Sequence, residues 1–343
     1  MSKPGHKRTT IKDVAKEAQV STATISYVLN GKESISEETK EKVFSAIKKL
    51  GYVPNLGARA LVSNVTRLVG VLIPQREDGN HGFFNNLFYS EIIGSIEYYL
   101  RRHGYGILIS ATEPNENFFK QVKERNLDGV IAVGVYPESF YEEAKRIELP
   151  VVLIDGSYQN RGLHEVNIDD FHGEYLATKY MIEHGHRNIA FFSGKIKNKV
   201  VNYRYQGYLD ALKESKITLK KELVFEGTTN FEGGYELAEK FMSVGADATA
   251  VVCTADVLAI GAIKRFQERG IKIPEDISII GFDDLALCRY TIPSLTTVCQ
   301  NIPKKGELAA KLLLNAINDR QLEQQKCDIK VKIIERDSVK RIK

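Results

Sequence analysis

The chain has 343 residues, of which 43% are hydrophobic and 27% charged, with a formal net charge of +4. It is too long for one ordinary domain, it has ample apolar material for a core, and no run approaches the roughly 18 apolar residues of a membrane span. The charge is unevenly placed: residues 1–66 hold 11 Lys and Arg against 6 Asp and Glu, while the remainder holds 37 against 38. A basic module on a near-neutral body is the electrostatic footprint of phosphate binding, although Lys3, Lys7 and Arg8 also fit a solvated tail. The N-terminal MSKPGHKRTT is polar and basic with no apolar signal segment, so a cytoplasmic protein without a membrane partner is expected. The four cysteines, Cys253, Cys288, Cys299 and Cys327, lie far apart without a C-x-x-C pair, which implies neither a disulfide framework nor a zinc site.

From Thr10, the apolar residues Ile11, Val14, Ala15 and Ala18 repeat at helical spacing. Ser21 then offers an N-cap to a second helix that carries Ile25, Val28 and Leu29 inward. Two short helices joined by about three residues have helix-turn-helix geometry. With that face turned in, the second helix presents Thr22, Ala23, Ser26 and Tyr27 outward, side chains suited to base edges and thymine methyls in a major groove. Ser36 opens a third helix with Val43, Ile47 and Leu50 on its inner face, stopped by Gly51. On spacing alone, any small three-helix domain fits as well.

The stretch from Thr10 to Asn30 resembles the DNA-binding headpiece of the LacI/GalR family of bacterial transcription regulators, whose pattern runs T-I-x-D-V-A-x-x-A-G-V-S-x-x-T-V-S-R-x-L-N. Asp13, Val14, Ala15, Ala18, Val20, Ser21, Thr24, Ile25, Ser26, Leu29 and Asn30 stand in register with it, and the resemblance continues to the C-terminal end. It implies that Thr10, Ser21, Thr22, Ala23, Thr24, Ser26, Tyr27 and Asn30 contact DNA. Two positions depart from the pattern. Gln19 stands where the family has its turn glycine, and a left-handed backbone there costs it about 1 kcal/mol. Tyr27 stands where the family has an arginine that reads guanine, so operator preference should differ from the family norm.

Residues 52–66 follow, with Pro54, Gly57 and many small side chains. One or two helical turns of this length are unstable alone in water, so the segment reads as a plain linker or as a helix that a partner must order. In the family this is the hinge helix, which pairs with its twin in a dimer and folds on operator DNA. The matching residues are Pro54, Asn55, Ala58, Arg59 and Leu61, with Leu61 in the place of a wedge between minor-groove base steps.

From Leu68 the pattern becomes alternating strands and helices: LVGVLIP, a helix ending at Gly104, a strand from Tyr105 to Ser110, then Gly129-Val-Ile-Ala-Val and Val-Val-Leu-Ile-Asp155. A second series of βαβ units begins near Val166. Parallel sheets covered on both faces follow. The fold class expected is α/β, with an N-terminal three-helix headpiece and a two-lobed, periplasmic-binding-protein-like core of doubly wound parallel sheets. The expected boundaries are 1–51 for the headpiece, 52–66 for the hinge, 67–162 with 293–322 for the first lobe, and 163–292 with 323–343 for the second. Three crossings between lobes are implied by the resemblance, which assigns residues 296–318 to the first lobe and 328–335 to the second.

Ligands of open parallel sheets sit outside the carboxyl ends of the strands. The polar residues there are Asp155, Asp169, Asp283 and Asp284, with Gln75 and Arg76 after the first strand. By motif, the resemblance implies effector contacts at Asn85 and Phe88 in NNLF, Asp155, Arg204 in NYRYQGY, and Asp283 in GFDD. The Arg204 fork suits neighbouring sugar hydroxyls, and Phe88 a sugar face or a purine-sized slot. Asp283 and Asp284 also fit helix N-caps, and Arg204 the exposed face of an amphipathic helix. Gly156 and Ala255 replace an arginine and an asparagine frequent in the family, so the contacts should not be standard. Asp283 and Asp284 are chain neighbours whose side chains diverge, poor geometry for an acid–base pair. In the family the segment that matches H-G-H at 184–186 is a helix end leading into a strand, so the resemblance implies capping rather than metal binding. No P-loop, nucleophile elbow or zinc motif is present, so no cofactor, metal or enzymatic activity is expected.

The expectation is a homodimeric repressor of carbohydrate-utilisation genes. It would bind a pseudo-palindromic operator DNA and respond to a sugar or sugar derivative in the cleft between lobes. A global regulator with a phosphorylated carrier-protein corepressor and, more distantly, a sugar-binding transport protein are the alternatives. No heptad tail follows Glu335 to suggest tetramerisation.

Overall fold

A computed structural model describes residues 9–29, 35–52, 65–74, 87–112, 119–156, 162–245 and 247–342. Asn30, Asn55, Ala58, Arg59, Leu61, Gln75, Arg76 and Asn85 lie outside the described residues. The chain divides into two compact units, residues 1–66 and 67–343.

In the first unit, α1 (Ile11–Ala18), α2 (Thr22–Leu29) and α3 (Glu37–Leu50) form around the expected signals. Thr10 opens α1 through a capping box: its backbone N–H donates to Asp13 Oδ2 at 2.8 Å while its hydroxyl accepts from the Asp13 N–H. Gln19 closes α1 at φ 56° and ψ 42°, the left-handed conformation that its position required. Ser21 Oγ accepts from the Thr24 N–H at 3.0 Å and so starts α2. Gly51 ends α3 at φ 57°. Val14, Ala15, Ala18, Ile25, Val28 and Val43 are buried as the spacing predicts, joined by Ala46 and Tyr52. Lys49 of α3 ties back to Glu17 of α1 at 2.6 Å.

The second unit alternates β1 (Leu68–Pro74), α4 (Leu87–Arg102), β2 (Gly106–Thr112), the short α5 (Lys120–Glu124), β3 (Gly129–Val133), α6 (Glu138–Arg146), β4 (Val151–Ile154) and β5 (His164–Ile168). There follow α7 (Asp170–Glu183), β6 (Ile189–Ser193), α8 (Lys199–Glu214), β7 (Val224–Glu226), α9 (Phe231–Ser243), β8 (Ala250–Cys253), α10 (Asp256–Glu268), β9 (Ser278–Asp283), β10 (Thr296–Cys299), α11 (Ile302–Asn318), β11 (Lys326–Ile329) and β12 (Lys332–Ile334). One sheet has the order β11-β5-β4-β3-β1-β2 and the other β12-β10-β9-β8-β6-β7. All pairings are parallel except β10 with β12. The central strands β3, β4, β6, β8 and β9 are buried along their whole length, as parallel strands covered on both faces must be.

The lobe boundaries differ from expectation by one strand at each crossing. β5 stays in the first sheet, where Ile154 pairs with Val166, although residues from 163 on were assigned to the second lobe. β10 belongs to the second sheet, pairing Thr296 with Ile280, although 293–322 was assigned to the first. β11 returns to the first sheet beside β5 before β12 enters the second. The chain thus crosses after β5, after β10 and after β11. Each displaced strand lies at or next to a sheet edge, where hydrogen bonds from a neighbour outweigh the short strand's own sequence pattern. α11 packs on the first lobe against α4, as expected for that part of the stretch.

Candidate functional site

In the headpiece, α2 turns Ile25 and Val28 into the core and leaves Thr22, Ala23 and Tyr27 exposed, with Thr24 and Ser26 half-buried. Thr10 and Ser21 are exposed but spend their hydroxyls as helix caps. The outward face of α2 is therefore short and polar except for Tyr27, which is 41% exposed. A helix of this profile fits the major groove with its N-terminal residues toward the bases.

In the second unit a cavity of about 670 Å³ opens at the carboxyl ends of both sheets. Pro74, Val135 and Asp155 reach it from the ends of β1, β3 and β4, and Thr254 and Asp283 from β8 and β9. Phe88 and Tyr89 of α4 give the first lobe an aromatic wall, their rings edge to face at 5.4 Å. The wall from the second lobe mixes the polar Lys195, Asn198, Thr228 and Thr229 with the apolar Val200, Val201 and Ala255.

Arg204 lies at the base of this cavity on α8, only 8% exposed. Helices α7 and α8 approach with backbone contact, since a Cβ on Gly207 would stand 2.2 Å from the Phe171 carbonyl oxygen. That approach brings Arg204 onto Asp170: Nε donates to Asp170 Oδ1 at 2.8 Å and Nη2 lies 2.7 Å from the same oxygen. Nη1 donates to the Thr254 carbonyl, and the guanidinium stacks 3.6 Å from the Phe282 ring centre. Burial opposes the Arg204 charge, but Asp170, Asp283 and Glu174 together hold its pKa above the ordinary value. Arg204 is thus a buried, ion-paired residue on the cavity lining rather than a surface residue. It is a strut whose donors are largely engaged within the second lobe.

Asp155 enters from the first lobe with both oxygens held by Lys305 Nζ, at 2.9 and 2.8 Å. Burial pushes its carboxyl up while Lys305 opposes the shift. Lys305 is completely buried in α11 and also donates to Gln300 Oε1, and Gln300 Nε2 donates in turn to Asp283 Oδ1. Asp283 is pushed up to about 8, chiefly by burial, against the pull of Arg204. A polar chain Asp155–Lys305–Gln300–Asp283–Arg204–Asp170 therefore runs from one lobe to the other beneath the cavity, its Asp283–Arg204 step a 3.9 Å charge contact.

The structure brings Phe88, Asp155, Arg204 and Asp283 together on one cavity. Asp284 points elsewhere, paired with Arg336 at 2.5 Å, and neither Asp283 nor Asp284 caps a helix. Asp169 is the N-cap of α7, through the His172 N–H at 2.8 Å. His184 bonds the Tyr180 carbonyl and His186 bonds Thr249 and the Lys340 carbonyl, so the H-G-H ties a helix end to its neighbours. Among the described residues no group of three His, Cys, Asp or Glu is placed to hold a metal, and no helix is long and apolar enough to cross a membrane. Sequence reasoning missed Asp170, Gln300 and Lys305. For Lys305 a signal existed: it falls in register with Ile302, Ala309 and Leu312 on the buried stripe of α11.

Residues 10–55 match the family described as bacterial regulatory proteins, lacI family, and residues 178–339 match a periplasmic binding protein-like domain. The chain is 36% identical over 337 residues to the HTH-type transcriptional repressor PurR of Vibrio atlanticus, covering 96% of this chain and 98% of the relative. Among solved structures, it is similar to the transcriptional regulator CelR in complex with cellobiose, at 26% identity and a TM-score of 0.70 over 96% of this chain and all of the other. It is also similar to a LacI family transcriptional regulator from Enterococcus faecium with bound ribose, at 28% identity and a TM-score of 0.72 over 80% of this chain and all of the other.

Proposed function

Because this chain belongs to the lacI family of bacterial regulatory proteins, we propose that it is a cytoplasmic, homodimeric repressor whose operator affinity is set by a carbohydrate in the cleft. Its function is that of a DNA-binding transcriptional repressor controlled by a small-molecule effector. The carbohydrate class rests on one observation, the asymmetry of the cavity. An aromatic wall of Phe88 and Tyr89 faces a second wall where the hydroxyl, amide and ammonium groups of Thr228, Thr229, Asn198 and Lys195 stand beside Val200 and Val201. A sugar offers an apolar face for the aromatic wall and a ring of hydroxyls for the polar groups opposite. Related regulators in complex with cellobiose and ribose support the same class.

The headpiece places one α2 in each half-site of a pseudo-palindrome, with Thr22, Ala23 and Tyr27 reading the major groove and Asn55 and Leu61 the minor groove. Leu287, Tyr290 and Ile292, close together along the chain, are all exposed, Tyr290 at 79% and Ile292 at 83%, which supports a second copy of the chain as partner. An effector that prefers one lobe geometry by several kcal/mol then moves the operator from mostly bound to mostly free.

The test is fluorescence anisotropy on DNA selected by the protein from a random pool, at two salt concentrations, with a panel of mono- and disaccharides and purines. A palindrome whose affinity falls with one sugar bears out an inducible repressor, and tightening makes that sugar a corepressor. A response to a purine alone overturns the carbohydrate class. Affinity that tracks only salt, without a palindrome, overturns the reading of the headpiece.

A further inference from the structure

Asp155, Asp283 and Arg204 line the cleft, and Asp170, Glu174 and Lys305 lie beside them. Asp170, Glu174 and Asp283 are buried, as are Arg204 and Lys305, and the Asp155 side chain is 14% exposed. The cations are already committed: Arg204 to Asp170, and Lys305 to both oxygens of Asp155. Two acids remain. Glu174 is 0% exposed and neither of its oxygens has a hydrogen-bond partner among the described residues. Asp283 has the Gln300 amide and, at 3.9 Å, a guanidinium already bonded elsewhere. A buried carboxylate without donors costs several kcal/mol, and the proton is the cheapest remedy.

We propose that Glu174 and Asp283 are neutral acids in the working protein, and that Lys305 is the positioning residue that sets which oxygen of Asp283 carries the proton. The second clause follows from donor inventory. An ammonium only donates, so Gln300 must turn its carbonyl oxygen to Lys305 and its NH₂ to Asp283 Oδ1. Oδ1 is therefore an acceptor, and the proton belongs on Oδ2. Asp283, on the cavity wall, then offers an O–H donor, so the effector atom that meets it is an acceptor such as a ring or carbonyl oxygen. This last step rests on the cavity being the effector site; the proton count does not.

The surroundings of both groups agree. Glu174 faces Asp170 on its own helix, Arg204 from α8, Asp283 from β9 and the Cys253 thiol from β8, and burial raises it to about 8 despite Arg204. Asp283 faces Arg204, Asp256 of α10, Gln300 and Lys305.

The test needs no effector. An unfolded glutamate gives up its proton near pH 4.5, whereas the folded one keeps it to about 8, so stability from this group is present at low pH and lost as pH rises through that window. Unfolding of full-length wild type in urea, compared with Glu174→Gln and Asp283→Asn between about pH 5.5 and 7.5, should show each amide variant gaining about tenfold per pH unit in the folding constant relative to wild type. Equal slopes overturn the proposal. Should an amide variant fail to fold, infrared spectra of wild type decide: the C=O stretch of protonated carboxyls persists at neutral pH and bleaches in mild alkali, and its absence at neutral pH is the overturning result. Lys305→Met frees the Gln300 amide to turn over, so the Asp283 component of that band, identified by its loss in Asp283→Asn, should shift in frequency, while an unshifted component removes Lys305 from its role. Once a sugar effector is found, its affinity should fall about tenfold per pH unit above pH 8. Failure to find any sugar effector leaves the proton count standing.

Discussion

Replacing Arg204 by methionine removes the guanidinium with which Asp170, only 1% exposed, is paired. The methionine stem retains part of the packing over Phe282, so the loss is chiefly electrostatic. Breaking a buried pair from one side costs about 3–5 kcal/mol, because the remaining ion is left uncompensated, whereas removing both charges costs far less. Arg204→Met should therefore lower the unfolding free energy by about 3–5 kcal/mol, and Arg204→Met with Asp170→Asn by only about 1–2 kcal/mol, the residue reflecting the lost bond to the Thr254 carbonyl. The chain has no tryptophan, so urea unfolding at pH 7 is followed by circular dichroism, with the m-value checked for constancy. Equal destabilisation in the single and double variants, with no coupling between the sites, would refute the strut and return Arg204 to a purely ligand-facing role.

Gln19→Gly relieves about 1 kcal/mol of left-handed strain but adds freedom to the unfolded chain, for a net gain of at most about 0.5 kcal/mol, while Gln19→Val should cost about 1–2 kcal/mol; hydrogen exchange at headpiece amides reads both. Ser21→Ala removes the cap on the Thr24 N–H and should cost the headpiece about 1 kcal/mol by the same measurement. Leu61→Ala should weaken operator binding and reduce DNA bending in gel-shift phasing assays with the headpiece still folded. Tyr290→Ser with Ile292→Ser should shift the dimer toward monomer in analytical ultracentrifugation, and an unchanged sedimentation coefficient would move the subunit interface elsewhere.

The headpiece was legible because its signals are local: an apolar repeat, a capping residue and a glycine each act within one turn of helix. The buried strands were legible as apolar runs for the same reason. The sheet to which β5, β10 and β11 belong was not, since short strands such as KCDI, half exposed, carry no mark of their neighbour. In the cleft, Asp155 and Asp283 were legible as strand ends facing a cavity. The partner of Arg204 was not, because Asp169-Asp170 reads locally as a cap, and only Asp169 is one. Lys305 was hidden by the ordinary habit of lysines to stay at the surface; its register on α11 marks it as buried, but nothing in the sequence names Asp155, 150 positions away, as its partner.

The three crossings between lobes are very short: one residue separates Ile168 from Asp170, and two residues lie between Cys299 and Ile302 and between Ile329 and Lys332. They also gather at one border, β5 beside β11 in one sheet and β10 beside β12 in the other. Three short connections side by side join the two lobes along a single line. The cavity walls come from strand ends and from α4 and α8, and Gln300 alone among the described lining residues belongs to a crossing. Most of the wall is thus set apart from the connections, and substitutions there, Gln300 excepted, can change the chemistry of the cavity while leaving the connections between the lobes intact.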